Sequence, residues 1–321
     1  MQGLVTVFGG SGFIGRYVVR ALAAKGWRVR VATRRPFRNP ELTVMGAVGQ
    51  IELAQANVRM PASVERALEG AEACVNLVGA LYESGPQRFQ SLHAMAAGTV
   101  AKAAAARGIT QFVHISALGA DENSPAKYAR TKAMGESAVR EAVPGAVILR
   151  PSVVFGPEDD FFNRFAAMAA MSPALPLIGG GKTRFQPVYA GDVGAAVASA
   201  LDDVAARGKT FELGGPGVYD FKTILEMILK ETGHRRFLAP LPFPVAAAIG
   251  AAGDLVAMTP FPPPLTSDQV LLLKSDNVVS PGALGLGDLG VTPTAVEGVI
   301  STYLWRFRKG GQFAQPEAAN A

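Results

Sequence analysis

Apolar and polar positions change period repeatedly along the chain, and the changes mark its elements. Residues 5–8 are an unbroken β-branched and aromatic run, the pattern of a short buried strand. Gly9, Gly12 and Gly15 follow at three-residue intervals, then a helical run over 17–24 that Gly26 closes as a C′ glycine. Arg28–Thr33 alternates as a second strand, 51–54 reads as a third, and Pro61, Ala62 and Ser63 open a helix. A fourth strand is expected over 73–77, an Ala-rich helix over 90–107 stopped by Gly108, and a fifth strand over Gln111–Ile115 that ends at Ser116. A helix over 127–140 and a sixth strand over 147–150 lead into a proline-started loop, 151–157.

From about residue 161 the rhythm breaks. Three successive glycines (179–181) precede Asp192, which reads as the N-cap of a helix over 193–201. A further strand (211–213) and helix (220–232) follow. The stretch 240–264 is rich in Pro and Ala, and 245–258 within it is at best weakly amphipathic. It reads either as a helix packed on the C-terminal part or as a membrane-surface or partner-docking element. Segments 265–279 and 293–307 complete the pattern, and a disordered tail is expected over 311–321.

Regular β–α alternation implies parallel strands joined by right-handed crossovers. The expected fold is α/β: a Rossmann-type doubly wound parallel sheet with a smaller, mixed C-terminal substrate-type region. The dinucleotide-binding core would span 1–160, and a C-terminal lobe interleaved with it would span 161–310.

The chemistry concentrates at strand ends. A glycine turn between a strand and a helix lets a diphosphate approach the backbone and sit on helix N-terminal N–H groups. At the end of the second strand, where an acid would bind the ribose 2′-hydroxyl of NAD, the chain carries Arg34 and Arg35, with Arg38 close behind. Arg16, just past the glycine turn, is placed to join them. Guanidinium pairs bidentately with phosphate, so NADP(H) is favoured over NAD(H). Asn57 meets the adenine edge or simply forms a turn. Gly79, after the fourth strand, allows close passage of a cofactor. Tyr128 and Lys132 are four residues apart and so share a helical face. There an ammonium lowers a phenol's pKa and holds a ribose hydroxyl, the needs of a carbonyl reductase; alone, the pair also fits a plain surface helix.

Composition narrows the field. The chain has 321 residues, 49% hydrophobic and 18% charged, enough for a substantial core. The net charge of +5 fits a solvated basic surface, or affinity for a phosphate-bearing ligand, an anionic membrane face or an acidic partner. No Lys/Arg block interleaved with aromatics stands out, so no nucleic acid is expected. The single cysteine, Cys74, excludes an internal disulfide and reads as a small core residue. The three histidines are scattered, and no metal site is expected. The first strand begins too early for a leader peptide, and no apolar run is long enough to span a bilayer.

Taken together, GGSGFIG, the Tyr128/Lys132 pair and the PSVVFGP loop resemble the extended or atypical short-chain dehydrogenase/reductase superfamily. GFIGRYVV, VNLVG, RPSVVFGPEDDFFNRF and QPVYAGDV are similar to one branch of it, the NADPH-binding accessory subunit of respiratory complex I, here in a bacterial form. The resemblance implies a tightly held, structural NADPH and a non-catalytic subunit. Its partners would be peripheral-arm subunits near the quinone site, with membrane-surface contact through 243–264. Its place would be the cytoplasmic side of the inner membrane, as a peripheral protein. By the same resemblance Gly9, Ser11, Gly12, Phe13 and Ile14 would hold the pyrophosphate, and Arg16, Arg34 and Arg35 the 2′-phosphate. Leu77, Val78 and Gly79 would line the cofactor's path; Ser116, Tyr128, Lys132, Pro151 and Val153 would surround the nicotinamide end. Two departures from active members stand out: Ala117 where a Ser or Thr is usual, and Asn76–Leu77–Val78 where a His followed by small residues is usual. The alternative is an NADP-dependent reductase or sugar epimerase/dehydratase using Tyr128 and Lys132 as acid/base residues, with Ser116 polarising the carbonyl.

Overall fold

A computed structural model describes residues 3–259 and 261–313. Its centre is a seven-stranded sheet in which every pairing is parallel. The strands are β1 (Leu4–Phe8), β2 (Arg28–Thr33), β3 (Ile51–Gln55), β4 (Ala73–Asn76), β5 (Gln111–Ile115), β6 (Val147–Pro151) and, after four short strands, β11 (Thr210–Leu213). Their order across the sheet is 11-6-5-4-1-2-3. The chain therefore reverses direction between β1 and β4, and at such a switch point the loops leaving the strands' carboxyl ends splay apart into a crevice.

Helices cover both faces. On one lie α1 (Phe13–Ala24) and α6 (Ala190–Asp202), burying Val18, Val19, Leu22, Val193 and Val197 against the sheet. These two helices pack closely because Gly194 lacks a side chain; a Cβ there would stand 2.8 Å from the Tyr17 carbonyl. On the other face lie α2 (Pro61–Ala67), α3 (Ala96–Ala105) and α4 (Lys127–Ala142), with Val64, Val100 and Val139 turned inward. The expected helix over 90–107 is a π-helical turn, Gln90–Met95, running into α3. The wider turn brings the His93 carbonyl against α4 at Gly135, where a Cβ would lie 2.2 Å from that oxygen.

The remaining elements build a lobe beside the carboxyl edge. They are β7 (Val154–Phe155), α5 (Phe161–Met171), β8 (Ala174–Ile178), β9 (Arg184–Phe185), β10 (Val188–Tyr189), β12 (Tyr219–Asp220), α7 (Phe221–Thr232), β13 (Phe237–Leu241), α8 (Phe243–Val256), α9 (Ser267–Leu272) and α10 (Val296–Leu304). Phenylalanines 155, 162, 185 and 221 centre its separate core. Although α6 and β11 follow residue 161 in the chain, both pack into the sheet sandwich.

Three local expectations change. Helix α6 begins at Ala190, so Asp192 lies in its first turn rather than at its cap. Its carboxylate instead accepts from the Thr294 N–H (2.7 Å) and hydroxyl (2.9 Å), pinning the C-terminal segment to α6. The parallel pair β8 and β13 was not expected, because Pro176 and Pro240 interrupt both runs. In α8 the usual amphipathic rule is inverted. Ala246, Gly250 and Gly253 form its buried stripe, and a Cβ on Gly253 would sit 1.8 Å from the Leu265 carbonyl oxygen. Small residues set the contact, so the bulky Val245, Ile249 and Leu255 are left exposed. Of the expected disordered tail, Gly311–Phe313 forms one 3-10 turn and residues 314–321 lie outside the described residues.

Candidate dinucleotide-binding site

The glycine turn sits at the carboxyl end of β1, at the switch point. Gly9 has φ +83°, a conformation that suits only glycine, and a Cβ there would lie 3.1 Å from the Leu77 carbonyl carbon. The turn is closed by a Gly12 N–H donated to the Gly9 carbonyl (3.0 Å). Gly15 lets α1 descend onto the turn; a Cβ there would be 2.4 Å from the same oxygen. Helix α1 starts at Phe13 with Gly12 as its N-cap, earlier than the expected residue 17. No side chain caps it and no acid lies in its first turn, so its leading N–H groups and positive dipole end remain available to an anion. Ser11 ties the turn to β2 through a 3.1 Å hydrogen bond with Thr33.

Arg34 and Arg35 follow Thr33 immediately. Both are exposed, and neither contacts a carboxylate among the described residues. Arg16 behaves differently: its guanidinium is 3.0 Å from Glu41, so this cation is already partly neutralised.

At the other end of the crevice, β4, β5 and α4 bring Asn76, His93, His114, Ser116, Tyr128 and Lys132 together. Lys132 is buried, donates to the Ile115 carbonyl (3.2 Å), and lies 5.9 Å from the Tyr128 ring centre. Burial lowers its pKa to about 8. Gly79 stands directly over it: a Cβ there would be 3.3 Å from Nζ and 3.6 Å from His93 Nε2. Tyr128 packs edge-on against Phe89 and His93. Its pKa is raised to about 12, first by burial and then by the Asp268 carboxylate.

The hydrogen bonds fix both imidazoles. His93 Nε2 accepts from the Ala80 N–H (3.1 Å), which places the proton of the neutral ring on Nδ1, facing Thr131 Oγ1 at 3.1 Å. Asn76 Oδ1 accepts from the Val78 N–H, so its amide nitrogen faces His114 Nδ1 as donor. The proton of His114 is then on Nε2. Burial is the main reason why both rings stay neutral, His93 at about 2 and His114 at about 3. Among the described residues, two buried side-chain polar atoms have no partner: His114 Nε2 and Ser116 Oγ. They belong to residues i and i+2 along one strand and its continuation, which project to the same side. An unpaired buried polar group costs about 1–3 kcal/mol, so the pair marks a place built to receive another polar group. An open glycine turn, a bare helix N-terminus and two orphaned polar atoms along one crevice fit a dinucleotide.

These comparisons agree with the geometry. The family model described as "NAD dependent epimerase/dehydratase family" matches residues 5–214. The chain is 38% identical to the Arabidopsis thaliana NADH dehydrogenase (ubiquinone) 1 alpha subcomplex subunit 9, mitochondrial, over 97% of this chain and 80% of that one. The chain belongs to this family. It is also 30% identical to the Neurospora crassa NADH-ubiquinone oxidoreductase 40 kDa subunit, over 98% of this chain and 82% of the relative. Among solved structures, a NADPH-dependent quinone oxidoreductase from Escherichia coli, complexed with NADPH, superposes with a TM-score of 0.72. At 21% identity over 94% of this chain and 99% of that one, this likeness concerns the fold.

Two features of this family member were not foreseen. Asp268, on α9 of the lobe, accepts from the Lys127 N–H (2.6 Å) and the Tyr128 N–H (3.0 Å), capping α4 from outside. Only its local setting was legible: Thr266 and Gln269 form a capping box. Asn277 accepts through Oδ1 from the Ser152 hydroxyl (2.7 Å) and the Val153 N–H (3.1 Å), and so holds the proline loop beside the crevice. Pro151 itself is buried at the end of β6.

Proposed function

We propose that this chain is a non-catalytic, NADP(H)-binding accessory subunit of respiratory complex I in which the nucleotide is a structural ligand. Gly9, Ser11, Gly12, Phe13 and Ile14 hold the pyrophosphate. Arg34 and Arg35 take the 2′-phosphate, with Arg16 contributing less because of Glu41. Leu77, Val78 and Gly79 pass the cofactor across β4; Ser116, Tyr128, Lys132, Pro151 and Val153 receive its nicotinamide end. The nicotinamide, when bound, supplies a hydride donor or acceptor. Membership of the complex comes from the named function of the relatives.

The observation that carries the non-catalytic part is the Asp268 clamp. It ties the lobe to the first turn of α4 and sets a carboxylate against Tyr128, which adds to burial, the larger cause, in raising the phenol's pKa above its ordinary value. A general acid/base working near neutral pH requires the opposite shift. Lys132 and Tyr128 then serve as ribose clamps. We place the subunit peripherally on the cytoplasmic face of the inner membrane, with the exposed apolar side of α8 and Phe261 toward the membrane and the peripheral-arm subunits near the quinone site as neighbours. No helix among the described residues is long and apolar enough to cross a membrane.

The test is recovery of the tagged protein at native expression level from solubilised membranes, with mass spectrometry and release of bound nucleotide. Complex I subunits in fixed ratio with NADPH are expected. Recovery alone from the soluble fraction, with exchangeable nucleotide, would reject the proposal. A second reading, an NADP-dependent reductase or epimerase, draws on the proximity of Lys132 to Tyr128 and on the unpaired Ser116 hydroxyl. It requires a substrate-dependent change in nicotinamide absorbance that Tyr128→Phe abolishes.

A further inference from the structure

A cavity of about 740 Å³ opens on the C-terminal lobe, lined by His234, Arg235, Arg236, Arg306, Arg308 and Lys309 among others. None of its lining residues belongs to the central sheet or to α1–α4. Two chain ends meet there. Helix α7 stops at Gly233, which is left-handed at φ +67°, and the chain turns straight into the basic triplet 234–236. Helix α10 runs into a 3-10 turn, Trp305–Phe307, that delivers the second basic group.

The cations are held mostly by neutral groups. Arg236 donates to the Ala169 carbonyl (2.7 Å), Arg306 to the Pro157 carbonyl (2.8 Å) and Arg308 to the Glu231 carbonyl (2.6 Å). His234 Nε2 donates to the Phe307 carbonyl (2.9 Å), joining the two segments. Among Arg236, Arg306, Arg308 and Lys309, the one carboxylate contact in the described residues is Arg308 with Glu231, at 3.3 Å. Backbone carbonyls orient the guanidiniums without cancelling their charge. Positive charge gathered in a concavity attracts an anion, and planar guanidiniums match phosphate oxygens in pairs. Two exposed apolar side chains flank the lining in sequence: Met171 follows Ala170 and Phe237 follows Arg236, 83% and 68% exposed.

We propose that this cavity binds a phosphate-bearing anion, and that the flanking apolar side chains select the headgroup of an anionic phospholipid over a free phosphate compound. Phosphate would enter between the 234–236 and 306–309 segments while Met171 and Phe237 meet the acyl region. The site is separate from the dinucleotide crevice and does not depend on it.

The test uses the full chain and vesicles of phosphatidylcholine with and without phosphatidylglycerol, read by co-flotation. Wild type is expected to bind the anionic vesicles, and R306E/K309E about tenfold or more weakly. R306Q/K309Q, which adds no negative charge, should show a smaller loss in the same direction. Inorganic phosphate and glycerol 3-phosphate are the soluble probes. If they raise the wild-type Tm but not that of the variant while vesicles do not bind, the phosphate site stands and its lipid selectivity is rejected. The proposal is overturned if neutral vesicles bind as well as anionic ones, or if no probe separates wild type from either variant. NADPH-induced stabilisation is measured alongside in all three proteins. Its absence throughout would reject the dinucleotide reading and leave this test intact.

Discussion

The two ends of the crevice are built to different standards. At the glycine turn the α1 N-terminus is uncapped, and Arg34 and Arg35 face solvent with no carboxylate contact among the described residues. At the other end Lys132 is buried, Tyr128 packs edge-on against the stacked Phe89 and His93 rings, both imidazoles are locked neutral, and Asp268 crosses from the lobe to cap α4. The first end is open and charged for an anion. The second is rigid, and its phenol is held away from the ionisation that catalysis would need. On the proposed reading, binding a dinucleotide and turning it over are separable properties of one fold, and this chain keeps what the first requires.

The largest effect should come from breaking the anion end. Gly15→Val drives a side chain into the Gly9 carbonyl and should destabilise the protein by about 4 kcal/mol, read by urea denaturation. Next, Arg34→Glu with Arg35→Glu should leave folding intact and weaken NADPH binding about a hundredfold, with much less effect on NADH. Equal losses for both nucleotides would remove these arginines from the 2′-phosphate. Asp268→Ala probes the other end. It removes the external cap of α4, should cost about 1 kcal/mol of stability, and should lower the Tyr128 pKa from about 12 without restoring the ordinary value, since burial remains. Phenol titration by ultraviolet absorbance checks it.

A fourth test is the pH profile. His114 titrates at about 3 when folded against 6.5 in a free chain, so the unfolded state binds more protons between these values. Stability is complete above about pH 6.5 and is lost on acidification toward pH 3. His114→Gln should flatten part of that slope, measured by denaturation at stepped pH. An unchanged slope would place the acid sensitivity elsewhere.

The anion end was largely legible because its requirements are local. A strand, a glycine turn and a helix lie within 25 residues, and Arg34 and Arg35 directly follow a strand. The doubly wound parallel sheet followed from the alternation of elements; the strand order is read from the structure. The rigid end was legible only as separate residues. Tyr128 and Lys132 share a helical face by spacing, but the carboxylate that caps their helix, Asp268, lies 140 residues beyond Tyr128. The proton positions on His93 and His114 depend on Ala80 and Asn76, contacts that no periodicity encodes. In the lobe the signal misled: prolines hid β8 and β13, and α8 buries glycine and alanine while exposing its large side chains, so its pattern reads as weak.

The measurement that bears most directly on the account is a calorimetric titration of the nucleotide-free chain with NADPH, followed by absorbance at the nicotinamide band over extended incubation with ketone, quinone and sugar-nucleotide substrates. One NADPH per chain, a raised Tm and no consumption of the nucleotide are the predicted result. Absence of binding, or steady NADPH oxidation that Tyr128→Phe abolishes, would contradict it.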